Sequence, residues 1–411
     1  MNFEYFIAKR IATAKEDKNS ISASIIKIAI VAIAISLVMM LVAIATGFGL
    51  QQKIREKVAA FNGHIQIYNY DSNQSDVSVT PISINQKFYP DFKEVPNVKH
   101  IQAVAGKGGI IRTAKTFEGV IAKGVGKDYD WEYMDDFLVE GVLPDYSGDR
   151  NEDILMSSYM ANRLEVKVGD EVRAFFLKND GGDIPNQMKL HIVGLYDSSF
   201  QEFDASYIIM DLRHIQRMNK WSEDQIGGFE VFVDDFDQIQ ETGDVIYNSI
   251  SSDLNSQTIL EKYIFIFDWI SYFDFNIVLI IGIMILVGGI NMITALLVLV
   301  LDRTPMIGIL KAVGNSNWSI RKIFLYNAAY LIGKGLLWGN LIGIGLLLLQ
   351  QQFGLVKLDA TTYYVTEAPV YLNPVHILLL NAGVLLVCLL MLVIPSYIIT
   401  RIAPVKAIKF E

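Results

Sequence analysis

IAIVAIAISLVMMLVAIATGFGL, residues 28–50, is an apolar run with no acidic or basic side chain. It exceeds the about 20 apolar residues that cross a ~30 Å hydrocarbon core as a helix. It also exceeds the apolar core of a cleaved signal peptide, about 7–15 residues, and 27 mostly polar residues precede it. The run reads as a retained membrane anchor. Three similar runs follow at residues 275–301, 323–349 and 375–399, which predicts four transmembrane helices. The composition agrees: 52% hydrophobic and 19% charged residues is too apolar for an ordinary soluble chain of 411 residues.

The basic residues between the runs set an orientation. Lys9, Arg10, Lys15, Lys18 and Lys27 precede the first; Arg303, Lys311, Arg321 and Lys322 separate the second from the third; Arg401, Lys406 and Lys409 follow the fourth. The segment between the third and fourth carries only Lys357. By the positive-inside rule the N-terminal segment 1–27, the segment 302–322 and the tail 400–411 are cytoplasmic, whereas residues 51–270 and the loop 350–374 are exported. Residues 51–270 hold 36 acidic and 21 basic residues, a balance of −15 against −9 for the whole chain. That excess argues against nucleic acid and suits either a soluble partner outside the cytoplasm or solubility alone. The single cysteine, Cys388, lies in the fourth run, so the exported domain must be held by its core rather than by an internal disulfide. At 220 residues it is large enough for that, and could divide into two lobes.

Within the exported domain, β-rich or alternating stretches at 64–70, 109–113, 117–125, 171–178, 189–196, 207–210 and 229–233 mix with helical patterns at 157–164, 212–219 and 239–254. The mixture is α+β without the regular alternation of a nucleotide-binding sheet. Segments of helical period at 48–61 and 259–275 join the domain to the first two spans as stalks. Residues 179–188, NDGGDIPNQM, carry two glycines and a proline and form a projecting turn or a simple hairpin connection.

Between the second and third spans, LDRTPMIGILKAVGNSNWSIRKIF at 301–324 predicts a short helix. Thr304 can cap it, Pro305 suits its first turn and Gly314 supplies a left-handed stop. Ile307, Leu310 and Val313 recur at helical spacing, while Arg303 and Lys311 keep the segment out of the hydrocarbon. It is the candidate input for force from a partner. Gly335, Gly339 and Gly343, four residues apart, form a face of the third span for close packing on span two or four. Asp274, Asn291, Lys334 and Asn340 are polar exceptions in the membrane region, of the kind that faces a protein interior or a water-filled pathway, while Asp274 and Lys334 could equally snorkel to an interface.

Catalytic chemistry finds no anchor in the sequence. There is no GxxxxGK[ST] phosphate loop and no GxSxG elbow. His64, His100, His191, His214 and His376 are too scattered for a metal site, so neither catalytic residues nor a metal is expected. Any ATP would have to be hydrolysed elsewhere.

Three stretches carry a resemblance to a known family: ILKAVGNSNWSIRKIFL at 309–325, IPSYIITRIAPVKAIKFE at 394–411, and the small-residue-rich helix between them. The chain resembles the FtsX/MacB-type permeases of ABC systems. LDATTYYVTEAPVYLNP at 358–374, with VKVGDEVRAFF at 166–176 and KLHIVGLYD at 189–197, is similar to the lipoprotein-releasing Lol permeases of the LolC/LolE kind. The departure is at Pro305 and Met306, where the family usually has a charged pair.

The resemblance implies an α-helical inner-membrane protein with four spans and a large α+β, MacB-like periplasmic domain between the first two. It implies a cytoplasmic, LolD-like ABC ATPase dimer that binds ATP and Mg, no cofactor in this chain, and a second copy or a paralogous permease. Arg303, Thr304, Ile307, Leu310, Lys311, Val313 and Gly314 would couple to the ATPase. Asn179, Gly181, Gly182, Ile184, Pro185, Asn186 and Gln187 would form a hook for a periplasmic, LolA-like lipoprotein carrier. A triacylated lipoprotein buries on the order of 40 methylenes at about 0.8 kcal/mol each and does not leave a bilayer unaided. Met40, Ala43, Phe48, Trp269, Phe273 and Phe275, at the outer ends of spans one and two, are candidates to line its apolar site beside membrane lipid. Efflux of drugs or peptides by a MacB-like route, and regulation of a cell-wall hydrolase by an FtsX-like one, are the alternatives.

Overall fold

The run at 28–50 lies inside one uninterrupted helix, Ile21–Asn62. In the computed structural model, which describes residues 3–13, 21–72, 75–178 and 185–401, three more helices are long and apolar enough to cross a membrane: Ile264–Asp302, Asn317–Phe353 and Pro374–Arg401. The last is α-helical to Val393, then tightens through Pro395–Tyr397, where proline interrupts the hydrogen-bond ladder, and ends in Ile398–Arg401. The chain divides into two units: Met1–Leu50 with Ile270–Lys357 and Glu367–Glu411, and Gln51–Trp269 with Leu358–Thr366.

The first unit is built on Leu37, Met40, Met292, Leu296, Ile320, Phe324, Ile332 and Leu392, all buried. In lipid such side chains gain little from leaving the solvent, so association rests on close packing and on hydrogen bonds between helices. Both are present. A Cβ on Gly335 would stand 2.7 Å from Ile33, one on Gly339 2.9 Å from Leu37, and one on Gly343 2.9 Å from Leu41. The glycine face therefore packs on the first long helix, not on the second or fourth as the sequence suggested. Asn340 and Asn381 exchange amide hydrogen bonds of 2.7 and 3.0 Å between the third and fourth. A short helix, Phe3–Thr13, lies against the start of the third, with Tyr5 edge-on to Tyr326.

The second unit is α+β. Its strands are β1 (Ile65–Asn69), β2 (Ile82–Ser83), β3 (Val98–Arg112), β4 (Phe117–Val125), β5 (Leu138–Gly141), β6 (Asp153–Ser157), β7 (Glu171–Phe176), β8 (Asn186–Tyr196), β9 (Tyr207–Asp211), β10 (Gln225–Ile226), β11 (Gly228–Val233) and β12 (Leu254–Thr258). All but β2 and β10 belong to one sheet, ordered β12-β1-β11-β3-β4-β9-β6-β8-β5, with β7 bridging β3 and β8. The bridge closes β3, β4, β9, β6, β8 and β7 into a ring, which pairs their edges. Strand β3 serves two partners on one side: Val98 to Val104 pair with β11, and Gly109 to Arg112 with β7.

Five strands were not expected from the sequence. Strands β2, β5, β6 and β10 are short, and β12, LNSQT, is polar. The helix expected at 239–254 stops at Ser249 because Leu254 opens β12. The helices Ser158–Leu164 and Leu212–Asn219 are capped by the Ser157 hydroxyl and the Asp211 carboxylate, which accept from backbone N–H groups.

Candidate functional site

The segment after the second long helix forms a helix at Thr304–Ala312 with Pro305 in its first turn. Arg303, not Thr304, is the N-cap, and it makes no side-chain cap. The Thr304 hydroxyl instead donates back to Leu301 and Val300. The C-terminal end is a Schellman motif. Gly314 has φ +93°, its N–H donates to the Lys311 carbonyl at 3.0 Å, and the Asn315 N–H reaches Leu310, also at 3.0 Å. Ser316 then caps the next helix by accepting from the Ser319 N–H.

Burial sorts the expected coupling residues. Ile307 is fully buried and offers no docking surface, whereas Leu310 is partly buried against the same helix core. Val313 is 83% exposed, and Ile309 (56%) and Trp318 (53%), which the sequence reading passed over, join it as exposed apolar side chains. Lys311 turns away from them and donates to the carbonyls of Ile399 and Thr400 at 2.7 and 3.3 Å. Arg321 ties down the same terminal segment through Ser396 (3.0 Å) and lies 3.8 Å over the Tyr397 ring.

Of the expected hook, Asn179, Gly181, Gly182 and Ile184 lie outside the described residues. Asn186 and Gln187 are not turn residues but the first two of β8, paired with Phe176 and Phe175. Pro185 sits immediately before them, beside a depression of about 560 Å³ that Ile110, Phe117 and Phe175 also line. Phe117 and Leu177 are among the most exposed apolar side chains of this unit.

Within the second unit, the C-terminal end of the first long helix is locked to the sheet. Buried Lys123 donates to the Phe61 carbonyl at 2.9 Å, where a cation suits the helix dipole, and pairs with Glu230 at 2.7 Å. Gln102 donates to the same carboxylate at 2.8 Å. Lys262 and the Tyr263 hydroxyl both donate to the Asn62 side chain, at 3.1 and 3.0 Å, so both stalk ends meet at one residue. The turn before them is a capping box between Thr258 and Glu261. The loop Leu358–Thr366 joins this assembly: the Tyr364 ring stacks on Phe200 at 4.4 Å, and its carbonyl accepts from Lys57 at 2.8 Å. Burial pushes the Lys57 ammonium down to about 8, against the pull of Asp204 and Asp197.

The six residues expected to line an apolar cavity are divided between the two units. Met40 is fully buried in the helix core and cannot face a ligand there. Phe48 packs on His376 at 4.9 Å. Ala43 and Phe273 are half-buried and Phe275 is 67% exposed, all in the first unit. Trp269 belongs to the second, edge-on to Tyr364 at 5.8 Å.

Comparison with known families matches residues 26–246, more than half of the chain, to the MacB-like periplasmic core domain, and residues 278–404 to the FtsX-like permease C-terminal region. The chain belongs to the FtsX-like permeases that carry a MacB-like periplasmic core. The second match takes in the whole Thr304–Ala312 segment of this permease. The permease is similar to the lipoprotein-releasing system transmembrane protein LolE of Haemophilus influenzae, at 23% identity over 99% of both chains. It is also similar to LolC of Buchnera aphidicola, at 21% identity over 88% of both. An uncharacterised ABC transporter permease of Methanocaldococcus jannaschii is 32% identical over 41% of this chain and 48% of that one. Among solved structures, the periplasmic region of MacB from Actinobacillus actinomycetemcomitans matches 47% of the permease and 87% of that chain, at 12% identity and a TM-score of 0.33.

Proposed function

We propose that this permease is the membrane subunit of an ABC lipoprotein-releasing system, driven by a separate ATPase dimer and paired with a second permease. The end-to-end similarity to LolE carries this reading, because it spans the helices and the exported domain together. In it, the four long helices cross the inner membrane with both termini cytoplasmic, and the sheet domain stands in the periplasm. ATP closes the partner ATPase, whose surface bears on Ile309, Val313 and Trp318. The displacement passes through the helix Ile21–Asn62, whose end is fixed to the sheet by Lys123, Glu230 and Asn62. A continuous helix transmits tilt where a flexible linker would not.

The released acyl chains need an acceptor, and the segment 179–187 is the part of the chain that would recruit a carrier, a reading supported by the exposed apolar side chains of Phe117 and Leu177 in the same unit. Depletion of the permease followed by fractionation of mature lipoproteins tests the function. Accumulation in the inner membrane is expected. Unchanged outer-membrane sorting with disturbed septation or wall turnover would point to regulation of a hydrolase, and unchanged sorting with loss of drug or peptide resistance to efflux.

A further inference from the structure

The first and third long helices run parallel, since residues 33, 37 and 41 meet glycines 335, 339 and 343 in the same order. Beside that seam lies an apolar groove of about 440 Å³, lined by Val31, Ile35, Met39, Trp338 and Ile342, with Lys27 at one end. Its walls are exposed: Val31 54%, Ile35 58%, Met39 48% and Trp338 53%. The glycine register puts Lys27 level with about residue 330, and Lys334 stands about one turn, ~5.4 Å, further along. Lys334 lies over the Tyr330 ring at 4.6 Å, on the stripe that continues through Trp338 and Ile342. Lys27 thus lines one end of a groove that is otherwise hydrocarbon, and the register brings Lys334 toward the same end.

The same end of the unit carries the helix Phe3–Thr13, with Phe3, Tyr5 and Phe6 exposed next to Lys9 and Arg10. Exposed aromatic and basic side chains on one short helix are the pattern of a segment lying in an anionic membrane surface. Long lysine side chains can bury their stems and lift the ammonium to that surface.

We infer that this groove holds an acyl chain of an anionic phospholipid from the cytoplasmic leaflet, with its phosphate between Lys27 and Lys334. The choice of leaflet rests on the orientation proposed above. The apolar walls accept a chain of any lipid, so selectivity must reside in the two lysines. Each cation near an anionic surface contributes about fivefold to binding.

The test uses the full-length permease in bilayers containing brominated phosphatidylglycerol or brominated phosphatidylethanolamine at equal mole fraction. The contribution of Trp338 is isolated by subtracting the Trp338→Phe variant. Quenching by the brominated phosphatidylglycerol is expected to show at least about fivefold tighter association. The Lys27→Gln, Lys334→Gln double variant should quench alike with both lipids. Equal quenching of the unaltered permease, or a preference that survives the double variant, overturns the site. Absence of quenching by either lipid also overturns it and indicates that a second copy covers the groove. Labelling of Lys27→Cys in a Cys388→Ser background by an impermeant thiol reagent reports the leaflet separately. Reaction from the periplasmic side alone would sink the orientation while leaving the headgroup preference to stand or fall by itself.

Discussion

Ile307 and Ile309 lie on one short helix, yet the first is fully buried and the second 56% exposed. Replacing Ile309 and Val313 by aspartate should uncouple ATP hydrolysis from lipoprotein release while leaving the thermal unfolding of the purified permease unchanged. Ile307→Ala should instead lower stability by about 2–5 kcal/mol, as other core truncations do. Release that proceeds normally in the double aspartate variant would refute the docking role. A second residue-scale effect concerns pH. Burial, with a smaller push from Lys99, lowers the His64 imidazole to about 4 from 6.5, and its ring accepts the Val233 N–H. Burial raises the Asp204 carboxyl to about 6 from 3.8, against hydrogen bonds from Ser198. The unfolded chain therefore takes up an imidazole proton first. The His64 contribution is complete above pH 6.5 and lost as pH falls toward 4. The folded chain keeps the Asp204 proton longer, so that contribution is complete below about pH 3.8 and lost as pH rises through 6. Each amounts to about 3 kcal/mol, with opposite sign, and together they flatten the profile. His64→Asn should make stability fall between pH 4 and 6, and Asp204→Asn should make it rise. Denaturant melts of the full-length protein at pH 4.5 and 6.5 check this, and two flat profiles would contradict it. Neither shift was legible in the sequence, because both arise from neighbours distant in the chain.

Among the elements, the third long helix shows how far a pattern reaches. Its glycine spacing announced a close-packed face, but nothing in that helix says which neighbour fills it. Contact with Ile33, Leu37 and Leu41 depends on how four similar apolar cylinders assort. Gly339→Val should cost about 1–3 kcal/mol, since even a Cβ would stand 2.9 Å from Leu37. A lowered melting temperature in detergent is the readout, whereas Gly345→Val, at a position with nothing within 4 Å, should leave it unchanged. The loop Leu358–Thr366 teaches the converse. Its sequence suggested an exported connection with a family resemblance but no packing partner, yet Tyr364 is held by Phe200 and Lys57. Tyr364→Ala should accelerate proteolytic cleavage within 358–366 by about tenfold or more, because the loop then opens locally. Cleavage at an unchanged rate would show that the stacking contributes nothing to its order.

For the whole molecule, the proposed function requires that an input at 303–318 and an output near 179–187 act through one chain. Charged replacements at Ile184 and Pro185 should abolish capture of the soluble carrier, read by co-purification from the periplasmic fraction, without altering ATP hydrolysis by the assembled complex. Intact capture would remove the hairpin from the proposal. The sequence by itself determined the four apolar helices, the α+β character of the domain, the Gly314 stop and the permease family. These depend on local composition, periodicity and turn chemistry, which each segment carries regardless of its surroundings. Only the tertiary structure decided that the glycine face meets the first helix, that Met40 and Ile307 are core rather than lining or docking residues, that β3 closes a ring through β7, and that Lys123, Glu230 and Asn62 fasten the stalk ends. Those outcomes depend on which surfaces exclude one another in three dimensions, and residues far apart in the chain settle them together.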